Sequence, residues 1–81
     1  MPNVTVTTTN STIMASTDGF KTVLVQNLGS GGLWVLTSLD ANATVTSSTG
    51  VAINPNTTQV IPVHNQYLRG ISNGTSDVRY T

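Results

Sequence analysis

Chemistry in this chain would have to come from very few side chains. It has one His, no Cys and no Glu, and its charged residues are Asp18, Lys21, Asp40, Arg69, Asp77 and Arg79. His64 is the one candidate for metal ligation or proton transfer. A cupin-like metal barrel needs several His and usually a Glu, and a structural zinc site needs four ligands, so one imidazole makes neither. A nucleophile–His–acid triad drawn from His64, a Ser and one Asp lacks a Gly-x-Ser-x-Gly elbow, and hydroxyls are everywhere. His64 therefore reads as an ordinary surface or loop residue near Pro62. Asp18, Asp40 and Asp77 are dispersed at turn-like or strand positions, form no carboxylate pair or calcium loop, and read as turn formers. Gly29-Ser30-Gly31-Gly32 has the glycines of a phosphate cradle without the Lys or the helix that a P-loop requires. The expectation is a chain with no catalytic residue, no cofactor and no metal.

Binding residues are easier to find. Trp34 lies in the middle of an apolar run, where an aromatic side chain serves as core or subunit interface; stacking on a sugar or a base is the alternative. Tyr67 and Tyr80 read equally as interface anchors and as half-buried strand residues. Net charge is zero and only 7% of residues are charged, against roughly 25–35% on an ordinary soluble surface. Three dispersed cations cannot form the basic cluster that nucleic acid or an anionic membrane requires. Asn-x-Ser/Thr sequons at Asn3, Asn10, Asn42, Asn56 and Asn73 match the glycosylation pattern. This composition produces such triplets by chance, and no secretion signal opens the sequence. The expected place of synthesis is the cytoplasm.

The elements that must carry these residues are strands. At 81 residues the chain makes one domain that buries only roughly 60–65% of its unfolded surface. Without disulfides or a metal, association with other chains is the support left to it. Val4-Thr5-Val6 alternates as a strand with one buried face, or as an arm that orders on a partner. Thr22–Asn27 and Leu33–Thr37 are the strong apolar strands, read as a hairpin around the Gly-rich loop. The continuous Val23-Leu24-Val25 suggests burial on both faces or a central position. Thr44-Val45-Thr46 is a candidate short strand, Val51-Ala52-Ile53 another, and Thr57–Ile61 a third. Pro62 marks an edge or a strand end. Asn73-Gly74 between Tyr67–Ser72 and Thr75–Tyr80 is a hairpin cue of type I′, with positive φ at both residues. The expected fold is all-β: a small single-domain β-sandwich or barrel, jelly-roll-like, of about seven or eight short antiparallel strands. Residues 1–21 form a Thr-rich arm or first strand, and residues 22–81 the β-domain core.

The run Val23-Leu24-Val25-Gln26-Asn27-Leu28-Gly29-Ser30-Gly31-Gly32-Leu33-Trp34-Val35 resembles a pattern in small virion proteins of tailed bacteriophages. There, an apolar strand ending in Gln-Asn leads through a Gly/Ser loop into Leu-Trp-Val. A Thr/Ser-rich stretch ending in Gly follows, here Thr46-Ser47-Ser48-Thr49-Gly50-Val51. The closing Gly74-Thr75-Ser76-Asp77-Val78-Arg79 matches as well. The resemblance spans roughly Thr22 to Tyr80 and leaves the first twenty residues unmatched. It implies a capsid decoration or cement protein, commonly a homotrimer, that bridges major capsid protein subunits on the outside of the virion. It carries over no catalytic residue, and Gln26 and Asn27 stay structural.

On this reading the interface residues are Val4 and Val6 in the arm, with Trp34, Tyr67 and Tyr80 as apolar anchors. The partners are the major capsid protein and further copies of the chain, with no nucleic acid and no membrane. The rival is a glycan- or receptor-binding fibre-tip module in which Trp34, Tyr67 and neighbouring Asn and Thr side chains line a sugar site. A neck or tail-completion protein differs from the cement protein mainly in ring symmetry.

Overall fold

The computed structural model describes residues 3–16 and 19–81. Among these residues the chain forms strands and no helix: β1 (Asn3–Val6), β2 (Ser11–Met14), β3 (Phe20–Asn27), β4 (Leu33–Ser38), β5 (Val51–Ile53), β6 (Thr57–His64), β7 (Tyr67–Ser72) and β8 (Ser76–Tyr80). They pair antiparallel in two four-stranded sheets, ordered β1-β8-β3-β6 and β2-β7-β4-β5. β1 thus lies beside β8, β2 beside β7, β3 beside β6 and β4 beside β5. That is a two-stranded ribbon wrapped on itself into a jelly-roll sandwich, with the β4–β5 connection at its tip.

Period-2 alternation explains the core. Val23, Val25, Leu33, Val35, Ile53, Ile61, Val63, Leu68 and Val78 point inward from their strands, joined by Val6 and Ile13. The core contains no aromatic ring. Leu24 sits between two buried valines yet is 38% exposed, so β3 is buried on one face only although it is an interior strand of its sheet. The apolar run reads as double burial because nothing in the sequence reveals that the outer face of this sheet is left uncovered.

Both expected hairpins are replaced by sheet crossings. β3 and β4 lie in opposite sheets, and so do β7 and β8. Neither Asn73 nor Gly74 has positive φ; among the described residues that conformation belongs to Gly19, Asn56 and Asn65. Asn-Gly satisfies a corner as readily as a tight turn, and the wrapped ribbon sends each strand to the sheet opposite its predecessor, except at the β4–β5 tip. The candidate strand at Thr44–Thr46 is irregular chain between β4 and β5.

The start of the chain takes the strand form of its two expected states. Residues 3–6 are a paired strand, with Val4 opposite Val78 and Val6 opposite Ser76. Val6 has no exposed surface and Val4 packs against the core. Val6 is thus a core residue, and Val4 is partly buried. Burying both methyl groups of a Val is worth about 2 kcal/mol, so Val6→Ala is expected to lower Tm by about 8–16 °C. A Tm within 2–3 °C of the parent in a thermal melt would mean that β1 is not part of the folded unit.

Candidate functional site

The corners after β1, β3, β5 and β7 meet at one end of the sandwich. Ser72 donates its backbone N–H to Thr7, Asn73 to Gly32, Asn56 to Asn27 and Leu28 to Asp77. At their centre lie the buried polar residues Asn27, Ser72 and Ser76. Asn27 Nδ2 donates to the carbonyls of Gly31 (3.0 Å) and Ile53 (3.1 Å), and its Oδ1 accepts from Gly29 N–H at 3.1 Å. Ser72 Oγ donates to Gly32 O at 3.0 Å and lies 3.0 Å from Ser76 Oγ. This knot satisfies backbone groups that the corners would otherwise bury unpaired. Asn27 is therefore structural, and Gln26, one residue earlier, is only partly buried on β3.

Two surfaces remain open to partners. The first is the outer face of the β3–β6 pair. Cross-strand register sets Phe20 against His64, Thr22 against Pro62 and Leu24 against Val60. Phe20 is 70% and Val60 57% exposed. The Phe20 and His64 rings lie 6.4 Å apart, tilted by 57°. β6 is an edge strand, and its bonding phase follows from its neighbour: Leu24 exchanges both backbone hydrogen bonds with Thr81, so the backbone groups of Leu24 face β8. Val23 and Val25 then face β6, which leaves Thr58, Val60, Pro62 and His64 with their backbone groups toward solvent. Pro62 has no N–H there and blunts the edge. Around this edge a groove of about 300 Å³ runs between the sheets, lined by Val35, Val51, Val60, Ile61 and Pro62 among others.

The second surface lies outside the other sheet, where residues 39–50 fold over β4 and β7. Arg69 Nε donates to Ala43 O at 3.1 Å, and Asn10 clamps Val45 through its N–H and C=O at 2.6 and 3.3 Å. Val45 is fully buried, away from the main core. A Cβ on Gly50 would lie 2.8 Å from Val45 Cγ1 and 2.9 Å from Trp34 Cβ, so the glycine allows this close seat. Next to it, Trp34, Val45 and Ile71 form an apolar cleft of about 410 Å³, edged by Asn10, Thr44, Thr46, Ser47 and Asn73.

Of the residues singled out by type, Trp34 and Tyr67 are half-buried on the outer face of the second sheet, where Trp34 lies opposite Ile71 and Tyr67 opposite Ser38. Tyr80 is half-buried and packs against the core. Trp34 and Tyr67 thus do not join Tyr80, Val4 and Val6 in one patch. His64 is exposed on the edge strand. Asp40 accepts the backbone N–H of Asn42 at 2.9 Å, as a turn-forming Asp does. Asp77 and Arg79 share the outer face of β8 at 3.6 Å, an exposed pair worth a few tenths of a kcal/mol. Asp18 lies outside the described residues. No group of three metal-ligating side chains occurs among the described residues, and they contain no helix long and apolar enough to cross a membrane.

Comparison with protein-family models, with curated proteins and with solved structures finds no match for this chain.

Sequence reasoning missed Phe20, Leu24 and Val60 as a surface and Asn10 as the clamp on Val45. The first was within reach: Phe20, Thr22 and Leu24 have the same strand parity, and Pro62 already flagged the edge that Val60 shares. The clamp joins residues 35 apart in sequence, and no local pattern encodes it.

Proposed function

We propose that this protein is a non-enzymatic virion component of the capsid decoration type, which seats on a phage head and bridges major capsid protein subunits. The observation that carries the reading is the uncovered apolar face of Phe20, Leu24, Val60 and Pro62 at the edge of a small, nearly uncharged sandwich. Exposed contiguous apolar surface on a small soluble domain marks a protein interface. Its aromatic and aliphatic side chains lie beside a groove, the form in which anchor residues concentrate binding energy. Pro62 limits strand addition at this edge to a short stretch, so the proposed contact is mainly between side chains. The virion context rests on the sequence pattern from Thr22 to Tyr80. Binding that recognises only the assembled lattice stabilises it by mass action, which is the mechanism proposed for the cement role. The proposed homotrimer would measure three times the 8.5 kDa chain by light scattering.

The test is cosedimentation with capsids of the parent phage that lack this protein. The double variant Leu24→Lys/Val60→Lys keeps the core intact, because both side chains point outward, and its Tm is expected to stay within about 3 °C of the parent. Its capsid affinity is expected to fall by at least about 100-fold, as for two truncated anchors. Binding by the double variant equal to that of the parent would refute the docking face. Parent protein that ignores the capsids would remove the decoration role itself.

A further inference from the structure

The cleft over β4 and β7 is built differently from the apolar face of the other sheet. Its walls are Trp34, Val45 and Ile71, and its rim is made of hydroxyls and amides. None of the five charged residues among the described residues lines it. Several rim and wall donors are unused by the fold. Ser47 Oγ, Thr44 Oγ1 and Asn73 Nδ2 make no hydrogen bond among the described residues, and neither does Trp34 Nε1. The indole N–H is also not a buried orphan, since Asp77 Oδ1 alone has that status among the described residues. The indole nitrogen therefore keeps some contact with solvent.

The rest of the rim is held rigid. Asn73 Oδ1 accepts Gly32 N–H at 2.8 Å, which leaves its NH2 to point elsewhere. Thr46 and Thr49 bond each other at 3.0 Å and tie the turn that carries Ser47. Asn10 holds Val45 through two bonds. The cleft is thus preformed, which limits the ordering cost of binding, and its about 410 Å³ lies in the range of small-molecule sites.

We infer that this cleft is a binding site for a neutral hexopyranose, taken as the end or a unit of a polysaccharide. A pyranose has an apolar C–H face and a girdle of hydroxyls. The aromatic wall, whose π face is electron-rich, suits the C–H face. The Ser47 and Thr44 hydroxyls and the Asn73 amide suit the girdle, offering donors throughout and acceptors at the two hydroxyls. The absence of charge disfavours phosphorylated and acidic ligands, whose desolvation nothing in the cleft would offset. The site lies on the sheet opposite the proposed capsid-docking face, so one molecule has a surface for each partner.

The test uses the full chain and its one tryptophan as reporter. Methyl α-mannoside, methyl α-glucoside, methyl β-galactoside and N-acetylglucosamine are titrated against tryptophan fluorescence, with calorimetry in parallel and polygalacturonate as the charged control. At least one neutral sugar is expected to shift the emission saturably with a millimolar or tighter Kd, while polygalacturonate does not. Ser47→Ala and Thr44→Val, which remove no intramolecular bond, are each expected to weaken that binding about five- to tenfold at unchanged Tm. Trp34→Phe, followed by calorimetry and checked for its fold by circular dichroism, is expected to weaken it further. Failure of all four sugars to bind would overturn the inference. So would binding that ignores both hydroxyl variants, or binding of polygalacturonate as tight as that of the sugars. Loss of capsid binding in the Leu24→Lys/Val60→Lys variant leaves the sugar titration unchanged, so the two proposals fail separately.

Discussion

Gly29→Ala is expected to lower Tm by at least about 16 °C or to abolish the cooperative transition altogether. A Cβ built on Gly29 would lie 2.4 Å from Ser76 Cα, 2.6 Å from Thr75 O and 2.9 Å from Asp77 N. All three are backbone atoms of the neighbouring corner, so no rotamer change relieves the clash. Ordinary overpacking against side chains costs about 1–3 kcal/mol. Separating two corners that share the Asn27 and Ser72 hydrogen bonds costs at least about 4 kcal/mol, and each kcal/mol is worth about 4–8 °C in a domain of this size. Gly29 does not have positive φ, so the demand is for space alone. Gly74 supplies the control: a Cβ there meets nothing within 4 Å, and Gly74→Ala is expected to stay within about 0.5 kcal/mol of the parent. Equal melts for the two variants would show that the corners do not approach as described.

The contrast between these two glycines shows what was legible in the sequence. Strand composition and period-2 alternation located most strands, because each needs only local information: β-branched residues, a buried parity and punctuation by Gly, Asn and Pro. Connectivity was not local. The Gly-rich run after Asn27 and the Asn-Gly after Ser72 look like turns that fold a strand back on itself. In the molecule each carries the chain from one sheet to the other, and the two corners pack on each other. A hairpin and a sheet crossing use the same turn residues, so the choice is made by long-range pairing, such as β3 with β6 and β1 with β8. For the same reason Val6 could read as part of an arm, since its partner opposite, Ser76, lies seventy residues away. Of the candidate site, Trp34 was visible from its type and position. Val45 and Asn10 were not, because a polar loop between strands gives no sign that one of its valines will be buried beside that Trp.

Asn27 is the other position where a single change is expected to be severe, and the chemistry of the replacement separates two explanations. Asn27→Ala removes a fully buried side chain and leaves Gly29 N–H, Gly31 O and Ile53 O without the partners they have now, the last of these bonds buried and the other two part-buried. At about 1–3 kcal/mol for each orphaned group, less than additive, the loss is about 3–5 kcal/mol. Thermal melts should then fall by about 12–40 °C. Asn27→Asp keeps the volume and the acceptor for Gly29 but turns an oxygen toward the two carbonyls that Nδ2 now serves. Burial and those carbonyls raise the folded-state pKa of the new carboxyl above its unfolded value of about 3.9. A group raised in this way is least harmful below its unfolded pKa, where it is protonated in both states, and most harmful above its folded pKa. The stability gap between Asn27→Asp and the parent should therefore widen as pH rises from about 3.5 to 7. The gap for Asn27→Ala, which introduces no titrating group, should stay constant. Parallel pH profiles for the two variants would mean that Asn27 acts by filling space and not by donating to Gly31 and Ile53.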